Sequence, residues 1–159
     1  MIAFDVLGMP APKGSARAIL IRGKARLLAS GSTANQRAQA AWVKAVQEAT
    51  RAALGERTDP LYPTGVPLEI TFVFRLPRPK AHYGAKGLKP SAPLWHMQYP
   101  DADKLLRTTL DALTGLLYAD DAQVPSPLPH KQWCEPGREG CGITVRRLDV
   151  ALHQGALAL

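Results

Sequence analysis

The chain has 159 residues, 46% of them hydrophobic and 21% charged, which fits one globular domain with its own core and excludes a disordered polymer. No apolar run approaches the ~18–20 residues that span a bilayer, and the N-terminus lacks a signal-peptide pattern, so a cytoplasmic protein without membrane contact is expected. A formal net charge of +7 points to a polyanionic partner, of which nucleic acid is the commonest.

Residues 2–8 alternate weakly and predict a strand. After the breakers in MPAPKGSAR, residues 16–30 predict two short strands around Arg22-Gly23-Lys24. Lys13, Arg17, Arg22, Lys24 and Arg26 make that arm basic. Ser32 or Thr33 is placed to cap a helix over about 34–54, with Gly55 as its stop. The apolar stripe of this helix is Ala38, Ala41, Trp42, Ala45, Val46, Ala49 and Ala53, which makes Trp42 a core residue. Residues 66–76 set Leu68, Ile70, Phe72, Phe74 and Leu76 at period two, with Thr71 and Val73 on the other face, the pattern of a central strand.

Residues 77–100 are rich in proline, glycine and bases. Arg78, Lys80, Lys86 and Lys89 interleave there with His82, Tyr83, Trp95 and Tyr99, a mixture suited to phosphate contacts and base stacking. A helix is expected over about 102–114, a turn-rich stretch over 125–140 and a last strand over 141–152. Cys134 and Cys141 flank the turn EPGREG, so two free thiols facing each other across a hairpin are expected. One domain is expected over 1–152, with a flexible tail over 153–159.

Residues 99–124, YPDADKLLRTTLDALTGLLYADDAQV, hold the feature that most needs a reason. Asp101, Asp103, Asp111, Asp120 and Asp121 are five of the chain's 13 acids, answered locally only by Lys104 and Arg107. Asp101 is a good N-cap, Asp103 can pair with Arg107 at i, i+4, and Gly115 suits the left-handed position after the helix. The stripe Leu106, Leu110, Leu113, widened by Leu105 and Ala112, predicts the buried side, with Lys104, Arg107, Thr108 and Asp111 opposite. A helix of ~13 residues is about 20 Å long, and six extended residues after Gly115 cover the same distance, so Asp120 and Asp121 can return to the level of Asp101 and Asp103. Gathered carboxylates repel unless a cation compensates, and an all-oxygen set favours Mg²⁺ or Mn²⁺. A basic surface around such a site is the layout of a metal-dependent nuclease, with Lys104 and Arg107 able to offset charge on a reacting phosphate.

These residues resemble the signature of RusA-type Holliday junction resolvases, common in phages and prophages: roughly P-D-x-D-N-L-x-K, then D-A-L, a short turn and D-D-x-Q-V. The matching elements are Pro100, Asp101, Asp103, Leu105, Asp111-Ala112-Leu113, Asp120-Asp121 and Gln123-Val124. Fainter likeness extends to PAPKGSAR, RLPRPKAHYG and His130-Lys131. The resemblance implies an α/β (α+β) fold, a small mixed sheet against two main helices. It also implies a homodimeric endodeoxyribonuclease of DNA recombination and repair, using Mg²⁺ or Mn²⁺ to place paired nicks in four-way junctions. Carried over, Asp101, Asp103 and Asp121 are the catalytic metal ligands, with Asp120 a further ligand and Asp111 in support. Two departures stand out: Lys104 replaces the Asn of the pattern, and Arg107 stands where its Lys does, a planar fork in place of a compact ammonium. Lys104 and Arg107 are expected to share the electrostatic work. Lys13, Arg17, Arg78, Lys80 and Lys131 are the candidate DNA contacts. The alternative is a branched-DNA binder that has lost catalysis.

Overall fold

A computed structural model describes residues 1–14, 16–21, 24–29 and 33–148, with the side chains of 15–32 outside that description. The expected tail, the end of the last strand, and the basic side chains Arg17, Arg22, Lys24 and Arg26 therefore lie outside the described residues. In chain order come β1 (Ile2–Leu7), β2 (Ala16–Ile21), β3 (Lys24–Ala29), α1 (Thr33–Leu54) and β4 (Leu68–Pro77). They are followed by β5 (Tyr83–Gly84), β6 (Gly87–Leu88), α2 (Ala102–Leu113), β7 (Ser126–Cys134) and β8 (Gly140–Arg147). Single 3₁₀ turns occur at Lys80–His82 and Asp121–Gln123.

The fold is α+β. Four strands form a mixed sheet in the order β1-β8-β4-β7, with β7 parallel to β4 and the other neighbours antiparallel. The hairpin β2–β3 and the short ribbon β5–β6 stand as separate two-stranded sheets. β4 is interior, as its two-sided pattern predicts, and Leu68, Ile70, Phe72, Phe74 and Leu76 all point to the buried side. They meet Cys141, Ile143 and Val145 of β8, Val6 of β1, Trp42 and Val46 of α1, and Leu105, Ala112 and Leu113 of α2 in one cluster. Full burial of each large aliphatic or aromatic side chain favours the fold by about 1.5–3 kcal/mol. Trp42 also donates its Nε1–H to Thr109 Oγ1 (3.1 Å), tying α1 to α2. The predicted stripe of α1 is narrower than expected: Trp42, Val46 and Thr50 are buried, whereas Ala38, Ala41 and Ala53 are exposed. No helix among the described residues is long and apolar enough to cross a membrane.

The other face of the sheet is fastened by charge. Arg75 on β4 reaches across β8 to Asp5 on β1 with two hydrogen bonds (2.7 and 2.8 Å), and Arg146 pairs with Glu69 (2.8 Å). Two glycines of β8 leave room for Arg75: a Cβ on Gly140 would lie 2.7 Å from its guanidinium and 2.1 Å from the Val6 carbonyl oxygen.

The region 125–140 corrects the sequence reading, since β7 occupies most of the expected turns. Pro127 and Pro129 are two residues apart, so both missing N–H groups face the same way. At a sheet edge, one side of the strand has no neighbour, and prolines are tolerated there. Because β4 separates β7 from β8, Cys134 and Cys141 are not hairpin partners. Both are free, and burial pushes the Cys141 thiol up to about 12.

Candidate active site

The site is built around the start of α2. Asp101 is the N-cap residue by backbone conformation (φ −70°, ψ 141°), yet its side chain makes no capping hydrogen bond. Its carboxylate is taken instead by Lys104, whose Nζ lies 2.8 Å from Oδ2. That bond, with the lysine's charge, holds the Asp101 carboxyl below the usual range, helped by Lys131. Lys104 is correspondingly raised, first by Asp101 and also by the charge of Asp103. The expected Asp103–Arg107 pair is not formed; both residues are exposed, and Arg107 has no ion pair among the described residues.

The buried side of α2 is rotated from the predicted stripe. Leu105, Thr108, Thr109, Ala112 and Leu113 are buried, whereas Leu106 and Leu110 are half-buried. Thr108, expected to face outward, goes inside because its hydroxyl donates to the Lys104 carbonyl (3.1 Å), leaving the methyl to pack. Thr109 does the same to Leu105 (2.9 Å).

Gly115 ends the helix with φ +80°, and its N–H donates to the Tyr118 carbonyl (2.7 Å). Residues 115–118 are therefore spent on the reversal. Only 119–121 travel back, roughly 10 Å at ~3.3 Å per residue, about half the length of α2. Consistent with that, the charges of Asp121 and Asp111, after burial itself, raise the Tyr118 hydroxyl. Asp120 accepts from the Ala122 N–H (2.8 Å), capping the 3₁₀ turn that carries Asp121. The structure thus joins Lys104 to Asp101 at the start of α2, with Asp103 on the same turn, and carries Asp121 on the 3₁₀ turn part of the way back along the helix.

Gln123 fixes this acidic turn, a role the sequence reading missed although the residue lies in the matched motif. Its Oε1 accepts from the Ala119 and Asp120 N–H groups (both 3.0 Å), while Nε2 donates to the Pro63 and Val66 carbonyls (2.8 and 3.1 Å). One buried amide ties the acids to the segment before β4. A glutamine three residues beyond an N-cap Asp is the sequence signal for such a box.

The candidate DNA contacts divide by how committed they already are. Lys13 pairs with Asp111, and its backbone N–H donates to the Lys104 carbonyl (3.1 Å), docking the N-terminal arm on α2. Lys131 donates to the Gln98 and Pro100 carbonyls (2.7 and 2.8 Å) and so braces the turn, with its cis Tyr99–Pro100 peptide, that delivers Asp101. Arg78 is half-buried, donating to the Pro93 carbonyl (2.9 Å) with its guanidinium 5.4 Å from the Trp133 ring centre. Lys80 is exposed. His96, only 7% exposed, lies tilted against Trp133 at 4.1 Å between ring centres, and His82 meets the same ring edge-on at 5.1 Å. This cluster pins the 78–100 segment to β7, and Trp133 was not singled out from the sequence.

The donor chemistry fits a hard divalent cation, because the exposed side chains here are carboxylates with no thiol or imidazole among them. The arrangement is not a finished cage. Among the described residues no three His, Cys, Asp or Glu side chains are grouped so as to hold one metal ion, and Asp101 is occupied by an ammonium.

A comparison with curated proteins found no match. The family described as Endodeoxyribonuclease RusA matches residues 10–144, a span that includes β4, both helices, the acidic turn, β7 and most of β8. The chain belongs to the RusA endodeoxyribonuclease family.

Proposed function

We propose that this protein is a divalent-metal-dependent endodeoxyribonuclease that resolves four-way DNA junctions by paired nicks, acting as a cytoplasmic homodimer. The observation that carries the reading is the exposed pair Asp101 and Asp103 at the first turn of α2, flanked by Lys104 and Arg107, in a family member of net charge +7. Asp101, Asp103 and Asp121 would hold Mg²⁺ or Mn²⁺ once drawn together about the ion, with Asp120 in reserve; when bound, the ion supplies charge stabilisation at the phosphate and acidifies water. The chain's own residues do the positioning. Lys131 fixes the backbone before Asp101 and Gln123 fixes the backbone before Asp121, and Arg107, exposed, would take a phosphate oxygen through its planar fork. Arg17, Lys80 and, with less freedom, Lys13 and Arg78 would contact backbone phosphates. Two symmetric cuts call for two sites related by a two-fold axis, which is the support for a homodimer. Light scattering of the purified protein gives the dimer mass on this account. Cleavage of a labelled four-way junction in Mg²⁺ or Mn²⁺, absent in Asp103→Asn, tests the activity. Tight junction binding without cleavage in either metal would favour the catalytically inactive binder.

A further inference from the structure

On the reading of Asp101 and Asp103 as metal ligands, we infer that Lys104 is a tethered counter-cation standing on Asp101, so that a divalent ion binds this protein only in competition with the lysine's ammonium. The Lys104 Nζ occupies Oδ2 of Asp101 at 2.8 Å, an i, i+3 contact on the first turn of α2. That carboxylate, at the N-cap position, makes no bond to the helix N–H groups, so the ammonium is its partner. An ammonium and a divalent cation cannot share one carboxylate without facing each other as like charges a few ångströms apart. Lys104 directly follows Asp103 in the first turn of α2, so both members of the pair have the same ammonium close by.

The neighbouring bases do not duplicate the role. Lys13 is spent on Asp111, Lys131 on two backbone carbonyls, and Arg107 is exposed without an ion pair among the described residues. A displaced Lys104 has a place to move. Lys13, Gln36, Gln39, Tyr99 and Lys104 line a cavity of about 180 Å³ between the N-terminal arm, the start of α1 and α2. Swung into it, the ammonium leaves the carboxylate and stays beside the site, where a DNA phosphate offers it a new partner. The two basic departures from the family pattern thus have different work: Lys104 answers the acids, and Arg107 answers the phosphate.

The test is Mn²⁺ binding without DNA, by titration calorimetry or by the electron paramagnetic resonance of free Mn²⁺, for the wild type, Lys104→Gln, Lys104→Arg and Asp103→Asn. Removing one unit charge ~5 Å from a divalent ion in a water-like dielectric should tighten binding by roughly tenfold in Lys104→Gln. Lys104→Arg, which keeps the charge, should stay within about threefold of wild type on the same reasoning. Equal affinity of wild type and Lys104→Gln, both lost in Asp103→Asn, would overturn the role of Lys104 and leave the metal site standing. No Mn²⁺ uptake by any of the proteins, with junction binding by anisotropy intact, would instead overturn the metal-dependent reading. Lys104→Met serves where Lys104→Gln does not fold, as judged by circular dichroism.

Discussion

Gln123 is where the account of the acidic turn is most exposed to test. Gln123→Leu keeps the volume and removes four hydrogen bonds at once, leaving the Ala119 and Asp120 N–H groups and the Pro63 and Val66 carbonyls without that partner. A lost hydrogen bond costs about 0.5–1.5 kcal/mol net, and an orphaned buried group about 1–3 kcal/mol. The residue is 8% exposed but its partners are only partly buried, so the low end applies. The loss comes to about 3 kcal/mol, and at roughly 2–4 °C per kcal/mol for a chain of this size the melting temperature should fall by about 6–12 °C. Thermal unfolding followed by circular dichroism reads the fall. Cleavage under excess junction should drop further than junction affinity, because the loosened segment carries Asp120 and Asp121 and few bases. Gln123→Glu sharpens the case. It keeps the acceptors but sets a carboxylate against two carbonyls, so its destabilisation should shrink as the pH is lowered and the carboxyl takes a proton. A Gln123→Leu protein that melts within about 1 °C of wild type would mean that these four hydrogen bonds do not hold the turn, since four part-buried partners are not lost that cheaply.

Other perturbations separate features that look alike in sequence. Gly140→Ala should cost several kcal/mol, on the order of 3 or more, because its Cβ would meet the Val6 carbonyl at 2.1 Å; Gly115→Ala, with φ +80° but open space around it, should cost about 1 kcal/mol. Denaturant midpoints that reverse this order would contradict the sheet register. Burial, with help from Lys131, holds His96 below its ordinary value of 6.5, so the unfolded chain takes the proton first as the pH falls. Stability should therefore be full above about 6.5 and decline below it, and His96→Gln should flatten that limb of a urea-midpoint profile. Lys80→Ala should lower the salt slope of junction binding by about one, whereas Arg78→Ala should act mainly on stability, its guanidinium being committed to Pro93 and Trp133.

What the sequence reveals here, and what it hides, has physical causes. β4 and the ends of α2 were legible because period-two burial, an acid at the N-cap and a glycine with positive φ are local signals. β7 was not, because its prolines read as turns until one knows the strand lies at an edge. The inward turn of Thr108 depends on a hydroxyl bonding its own helix, which makes a polar residue behave as an apolar one. The acidic island was visible as composition, but its pairing was not. Which base sits on which acid depends on side-chain reach: Lys104 chose Asp101 in place of a helix cap, and Lys13 arrives from 98 residues away to meet Asp111. Extended reach alone would return Asp120 and Asp121 to the level of Asp101 and Asp103, and the hydrogen-bonded reversal at Gly115–Tyr118 shortens it. Gln123 shows the opposite case, a motif position with a plain structural reason that only the fold discloses.

On the proposed function, Asp101 and Asp103 make this family member a metal-dependent junction nuclease. The most direct measurement is cleavage of a labelled immobile four-way junction, beside a linear duplex of the same sequence, by wild type and Asp103→Asn in Mg²⁺, Mn²⁺ and EDTA. Paired nicks are expected in the junction alone, with metal alone, and none from the variant although it still binds the junction. Nicking that persists in EDTA or in Asp103→Asn, or cutting of duplex as fast as junction, would contradict it.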